Sequence, residues 1–258
     1  MSVAKFQSDS HTLRHTLKTV AVATVFPMSM GISAALAQSL NLDLGPTGGP
    51  AERALQMIAL ITILSLAPAI LVMTTSFTRI VVVLSLLRSA FGLQSTPPNS
   101  VIIGLSLFLT AFIMAPTGRE AYNTGIAPLI AGKIQNEEAF ERTVIPVKQF
   151  MLKHVREKDL SFFLDLSKAP KPIEPLAVSL TTLIPAFMIS ELRRAFEIGF
   201  LIFMPFLIID LIVASILMSV GMMMMPPTAV SLPFKLIFFV LVDGWSLVTG
   251  SLVQSYGL

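Results

Sequence analysis

Asp210 places a carboxylate in the middle of an apolar run, Phe206-Leu207-Ile208-Ile209-Asp210-Leu211-Ile212-Val213. An ionised acid there costs at least ~2.5–3.5 kcal/mol to insert into hydrocarbon, so it should be paired, hydrated or used to move charge. Downstream stand Lys235, a base, and Asp243, an acid with which a proton could be shared. The chemistry on offer is a buried ion pair or a proton relay among these three buried charges. If a helical hairpin turns at about residues 226–229, Lys235 falls ~12 Å short of the depth of Asp210 at ~1.5 Å per residue. That geometry predicts an Asp210–Lys235 contact between neighbouring subunits. The alternative is a lone Asp210 held by backbone or water.

Between the two charges the chain reads Ser219-Val220-Gly221-Met222-Met223-Met224-Met225-Pro226-Pro227. A helix turns by ~100° per residue, so four consecutive methionines sweep most of its circumference and cannot all pack on one face. The thioether side chain is long, unbranched and adaptable. Two prolines then prevent the helix from continuing. The stretch reads as a soft apolar plug at a helix end, or more plainly as filler in an apolar helix.

Other reactive groups are few. The chain has no cysteine and three histidines, of which His11 and His15 lie near the N-terminus and His154 stands apart. This is a poor basis for a metal centre or a nucleophilic triad. No phosphate loop, HExxH or GxSxG pattern occurs. Glu191, Arg193, Arg194 and Glu197 read as a solvated helix face, with Glu191–Arg194 and Arg193–Glu197 at pairing distance. Neither catalysis nor a cofactor is expected.

The elements that must position these residues are membrane-like. Of 258 residues, 54% are hydrophobic and only 13% charged, against about 25% charged in soluble domains. Mean hydropathy is +0.79. Residues 1–37 read as a signal peptide: Lys5, Arg14 and Lys18, then an apolar stretch, then Ala35-Leu36-Ala37, with cleavage between Ala37 and Gln38. An uncleaved anchor helix is the alternative. Without this segment acid and base nearly balance, so composition makes no case for nucleic acid. Residues 38–53 are an extracytoplasmic linker.

Residues 54–118 predict an N-terminal helical hairpin: a span from Ala54 to Thr78 containing Pro68, a helical stretch with Arg79 and Arg88, and a shorter helix from Val101 closed by Pro116-Thr117-Gly118. Arg79 and Arg88, with no acid beside them, fit a cytoplasmic side. Residues 119–174 form an extracytoplasmic amphipathic insertion, with Phe140, Val144, Val147, Met151 and Val155 as its apolar stripe. The stripe packs on its own chain or on a neighbouring subunit. Residues 175–258 supply C-terminal hairpins around the methionine loop, interrupted at Glu191–Glu197. The fold class is an all-α membrane protein of broken, proline-kinked hairpins plus a small helical insertion.

Three stretches resemble the FliP family of flagellar type III export proteins, whose virulence counterparts are called SctR. They are Thr75-Ser76-Phe77-Thr78-Arg79 through Ser85 with Gly92-Leu93-Gln94 and Pro97-Pro98-Asn99; Pro185-Ala186-Phe187-Met188-Ile189-Ser190-Glu191-Leu192 through Phe200; and Pro205 through Asp210 and the methionines to Asp243-Gly244-Trp245. The resemblance implies a non-enzymatic pore subunit, assembled as a ring of five with FliQ and FliR, working with FlhA and FlhB in the bacterial inner membrane within the flagellar basal body. It would pass unfolded flagellar export substrates. The resemblance makes Met222, Met223 and Met224 the pore gasket, Asp210 and Lys235 the membrane-buried acid and base, and Glu191, Phe150 and Phe163 subunit contacts. The signal peptide and the long insertion favour the flagellar over the virulence branch. An ion-coupled transporter is the rival from another class, but it calls for internal repeats that the sequence does not display.

Overall fold

Proline interrupts the helices of this chain less than the sequence predicts. The computed structural model describes residues 50–93, 95–168, 174–222 and 224–257. Their order is α1 (Pro50–Thr74), α2 (Phe77–Ala90), α3 (Asn99–Ala121), a π turn (Tyr122–Ile126), α4 (Ala127–Ile130), α5 (Asn136–His154), α6 (Glu157–Ser167), a 3-10 turn (Pro175–Ala177), α7 (Leu180–Ser219), α8 (Pro227–Leu241) and α9 (Gly244–Gln254). No strand occurs among the described residues, and the fold is all-α. The expected signal peptide, with its Ala37–Gln38 junction, lies outside the described residues.

The chain divides between Thr62 and Ile63. The described part of the first unit is the start of α1, where Leu55, Ile58 and Ile61 are largely exposed. The second unit is organised on α2 and α7, which run parallel: Arg79 meets Glu191, Leu86 meets Gly199, and Phe91 meets Phe206. Ile80, Val83, Leu84 and Leu87 of α2 and Leu183, Phe187 and Ala195 of α7 are buried in this seam. Each large aliphatic or aromatic side chain buried here contributes ~1.5–3 kcal/mol. Gly199 permits the close approach, since a Cβ there would meet Leu86 Cδ1 at 2.3 Å.

Two expected helix ends do not occur. Pro116-Thr117-Gly118 does not close α3, which continues to Ala121 and, through the π turn, to Ile130. Proline removes one hydrogen bond, whereas ending the helix in apolar surroundings would strand several. The π turn precedes Pro128, and at its end Ala127 N–H donates to the carbonyl of Tyr122, five residues back. Likewise Glu191–Glu197 does not interrupt α7, a single helix of 40 residues. Its charges divide between two faces: Glu191 turns inward, while Arg193 and Glu197 pair outward at 3.1 Å. At ~1.5 Å per residue α7 is about 60 Å long, twice the ~30 Å of a bilayer's hydrocarbon.

The stripe of α5 is only partly rotated from its expected position. Met151 is buried and Val147 and Val155 pack against the core as expected, but Phe140 is 67% exposed, and Ala139, Pro146, Phe150 and His154 are buried beside the stripe. The rotation follows from Gly125, whose bare Cα lies against α5: a Cβ there would meet Ala139 O at 2.7 Å and Thr143 Oγ1 at 2.0 Å. A small residue, Ala139, must face that turn, and the one-residue offset carries Phe140 ~100° away. The buried face packs on its own chain, against α3 and α7.

The apolar stretch after the methionine turn bends by 63° between α8 and α9. Asp243 takes a left-handed backbone (φ 49°) at the bend, and Gly244 lies against the Phe239 ring. Among the described residues, three helical stretches are long and apolar enough to cross a membrane, Met57–Thr74, Asn99–Ile130 and Leu180–Ser219, and the bent α8–α9 pair would make a fourth as a broken span.

Candidate functional site

Asp210 and Lys235 meet within one chain. Lys235 Nζ donates to Asp210 Oδ2 at 2.6 Å and to the carbonyl of Ala90 at 3.0 Å, while Ser231 Oγ donates to Asp210 Oδ1 at 2.5 Å. The intersubunit contact expected from the hairpin arithmetic is therefore corrected. The turn is seven residues long rather than tight: α7 ends at Ser219 and α8 begins at Pro227. Asp210 thus lies nine residues before the turn and Lys235 eight after it, at nearly equal depth. Lys235 is 2% exposed, and its second acceptor is the last carbonyl of α2, where a cation is favoured by the helix dipole. One ammonium group thereby ties together α2, α7 and α8. Asp243, expected among the buried charges, is exposed at the α8–α9 bend. The left-handed turn carries it out of the helical line that leads back to Asp210.

The methionine turn caps this hairpin. Gly221 (φ +80°) ends α7: its N–H donates to Met218 O at 3.1 Å, and Met222 N–H donates to Leu217 O at 3.0 Å. This is the Schellman arrangement, which needs a left-handed residue and so favours glycine. Pro227 then opens α8 at a position where its missing N–H costs nothing. Met224 is fully exposed, and Met222 and Met225 are each more than 40% exposed. Met223 lies outside the described residues.

A second charge cluster was not legible as one in the sequence. Arg79 and Glu191 are both wholly buried. Arg79 Nε donates to Glu191 Oε2 at 2.8 Å and Nη2 to Oε1 at 2.5 Å, a bidentate pair. Arg79 Nη1 donates to Ser255 Oγ at 2.8 Å and Ser255 O at 3.3 Å, and the guanidinium lies 3.9 Å over the Tyr256 ring. The Tyr256 hydroxyl donates to Glu191 Oε2 at 2.5 Å. Burial, with the Glu191 charge acting the same way, pushes this phenol above its usual range, so it remains a donor. Arg79 is thus an internal pairing residue. Its clue was an arginine with no acid beside it in an apolar helix. Tyr256 and Ser255 carried no signal, because only the fold brings them there.

Phe150 and Glu191, expected as subunit contacts, are not at the surface of this chain. Phe150 packs with Phe187, Tyr256 and His154, at ring separations of 6.0, 5.9 and 4.6 Å. Glu191 spends both oxygens on Arg79 and Tyr256. Phe163 is half-buried beside Phe162. His154 Nδ1 carries its proton, since it lies 2.8 Å from the Phe150 carbonyl, which can only accept. Burial holds this imidazole below its ordinary value of 6.5, and the Arg79 charge acts with it. The Phe150 and Tyr256 carbonyls and the Glu191 charge oppose them.

Apolar helices joined by buried charge pairs, with a loose apolar turn at one hairpin tip, define an all-helical membrane protein. Among the described residues no group of His, Cys, Asp and Glu could hold a metal ion. The chain belongs to the FliP family, whose model matches residues 60–252. It is similar to the flagellar biosynthetic protein FliP of Caulobacter vibrioides, 60% identical over 225 residues that cover 87% of this chain and 85% of that protein. It is 54% identical to the flagellar biosynthetic protein FliP of Bacillus subtilis over 201 residues, covering 78% of this chain and 91% of that one. With the flagellar biosynthetic protein FliP of Aquifex aeolicus the identity is 50% over 235 residues, 90% and 98% of the two chains.

Proposed function

We propose that this chain is the pore-forming core subunit of a flagellar type III protein export gate in the bacterial inner membrane, needed for flagellum assembly. Five copies form a ring with FliQ and FliR, and FlhA and FlhB complete the export apparatus through which unfolded flagellar proteins pass. The observation that carries this reading is the methionine turn. Apolar side chains, Met224 wholly exposed and Met222 and Met225 each more than 40% exposed, stand at the tip of a hairpin whose base is pinned by Lys235. In a ring, thioethers from several copies can exclude water and ions as a hydrophobic constriction does, and part for a polypeptide without demanding a particular sequence. Met222, Met223 and Met224 form that gasket. Phe163 serves a subunit contact directly, while Glu191 and Phe150 support the interface from beneath.

Replacing Met222, Met223 and Met224 together by alanine is expected to raise ion leak through the membrane while export of flagellar proteins persists. A triple variant as ion-tight as the parent would refute the gasket. The transporter reading has less support. Asp210 and Lys235 neutralise each other, and Asp243, the acid expected to share a proton with Asp210, is exposed at the α8–α9 bend.

A further inference from the structure

We propose that the turn after α9, Ser255-Tyr256-Gly257, is an intramolecular latch that holds α5 onto the α2–α7 seam, with Tyr256 as its positioning residue. The turn follows α9 directly, and its Ser255 and Tyr256 N–H groups donate to Ser251 O at 2.9 Å and Val253 O at 3.1 Å. Tyr256 is 4% exposed and touches three other elements at once. Its ring stacks near-parallel to Phe150 of α5 (18°, 5.9 Å) and lies 5.1 Å from His154. The other face lies under the Arg79 guanidinium of α2. Its hydroxyl reaches Glu191 of α7.

Two arguments make this a latch rather than ordinary packing. First, the turn completes the bonding of a buried charge. Arg79 has five N–H donors; Glu191 takes two, and the two contacts to Ser255 occupy the Nη1 side. Without the turn Arg79 would remain buried with that side unpaired, which is the costly condition for an ion pair. Second, α5 rests on the turn through the Phe150 and His154 rings against Tyr256 and through the Tyr256 carbonyl beside His154. None of these contacts uses the Tyr256 hydroxyl, which is the atom that holds Glu191 of α7. One residue carries both, through different atoms, so they can be separated by mutation.

Hydrogen exchange on the full-length, detergent-extracted chain provides the test, comparing parent, Tyr256→Phe, Tyr256→Ala and deletion of residues 255–258. Tyr256→Phe keeps the ring and loses the hydroxyl. Exchange in the second half of α5 is expected to stay at the parental rate, while the start of α2 and the middle of α7 around Glu191 exchange about tenfold faster. Tyr256→Ala and the deletion are expected to accelerate both regions, leaving α8 unchanged. Uniform acceleration of all helices, or parental exchange of α5 in Tyr256→Ala, would overturn the proposal. If Tyr256→Ala and the deletion do not fold, Tyr256→Phe decides alone: faster exchange in α5 to the same degree as in α2 would show no separable latch.

Discussion

The two buried charge pairs of this chain, Arg79–Glu191 and Asp210–Lys235, solve the same problem differently. In the first, both side chains are fully buried, the acid receives three donors, and every contact comes from the chain's own helices and final turn. In the second, only the base is enclosed. Lys235 has a side-chain exposure of 3%, against 25% for Asp210. The first pair fastens two parallel helices and can do nothing else. The second sits below the methionine turn, where one side of the carboxylate still reaches outside the chain. Closure suits a fixed joint, and partial opening suits a joint placed beside the part that is proposed to meet other subunits and substrate.

That contrast predicts the largest effect at the closed pair. Arg79→Ala or Glu191→Ala leaves one charge buried without its partner, and such changes cost about 3–5 kcal/mol. Thermal unfolding of the extracted chain, or its abundance in membranes, should show near-complete loss of folded protein. Arg79→Met with Glu191→Leu removes both charges and is expected to be milder than either alanine change. A double variant as unstable as the sum of the single ones would mean that the pair contributes more than mutual neutralisation.

The half-open pair should behave asymmetrically. Asp210→Asn leaves the enclosed ammonium of Lys235 with neutral oxygen acceptors alone and no counter-charge, an expected loss of about 1–3 kcal/mol. Lys235→Met leaves an acid that keeps Ser231 and some solvent, so it should cost less. Exchanging the two charges should restore assembled complexes only when both changes share one chain. Restoration by variants carried on separate subunits would break the intrachain assignment.

The same pair shows where the sequence stops being informative. Asp210 was recognisable because a charge in an apolar run demands an explanation, and Lys235 because few bases are near. Their distance was not, because it depends on how many residues the turn consumes. Gly221 extends that turn by closing α7 early, at Ser219. Arg79 and Glu191, more than a hundred positions apart, were individually odd but gave no reason to be matched. Glu191 was instead assigned to the exposed charges around it. Helical periodicity found α5 and placed Val147, Met151 and Val155 against the core, but it misplaced Phe140 at the helix start, since Gly125, which fixes the face there, belongs to another element. Local chemistry is legible in a chain of this kind; the partner across the fold is not.

His154 offers a smaller test of the closed end. Between its lowered folded value and 6.5, the unfolded chain binds a proton that the folded chain does not, so stability should fall as pH drops below about 6.5. His154→Gln should flatten that slope. The wider surroundings of this imidazole include Arg79, Glu191 and Tyr256, with Glu120 and Lys153 at the neighbouring cleft. A slope unchanged in the variant would shift its origin to those groups.

The smallest effect should come from Arg193–Glu197, two positions further along α7 from Glu191. It is an arginine–glutamate pair like the buried one, at 3.1 Å and i,i+4 spacing, but its side chains are 55% and 59% exposed. Solvent screens the attraction, and ordering two long side chains offsets most of the gain, so such pairs are worth about 0.2–1 kcal/mol. Arg193→Ala should therefore shift unfolding by a few tenths of a kcal/mol and weaken further in effect at high salt. The same helix and the same residue types then give effects several-fold apart, with burial as the variable. A loss at Arg193 comparable to that at Arg79 would show that this face is covered in the assembled protein, and would move the closed joint outward from the chain to the interface between copies.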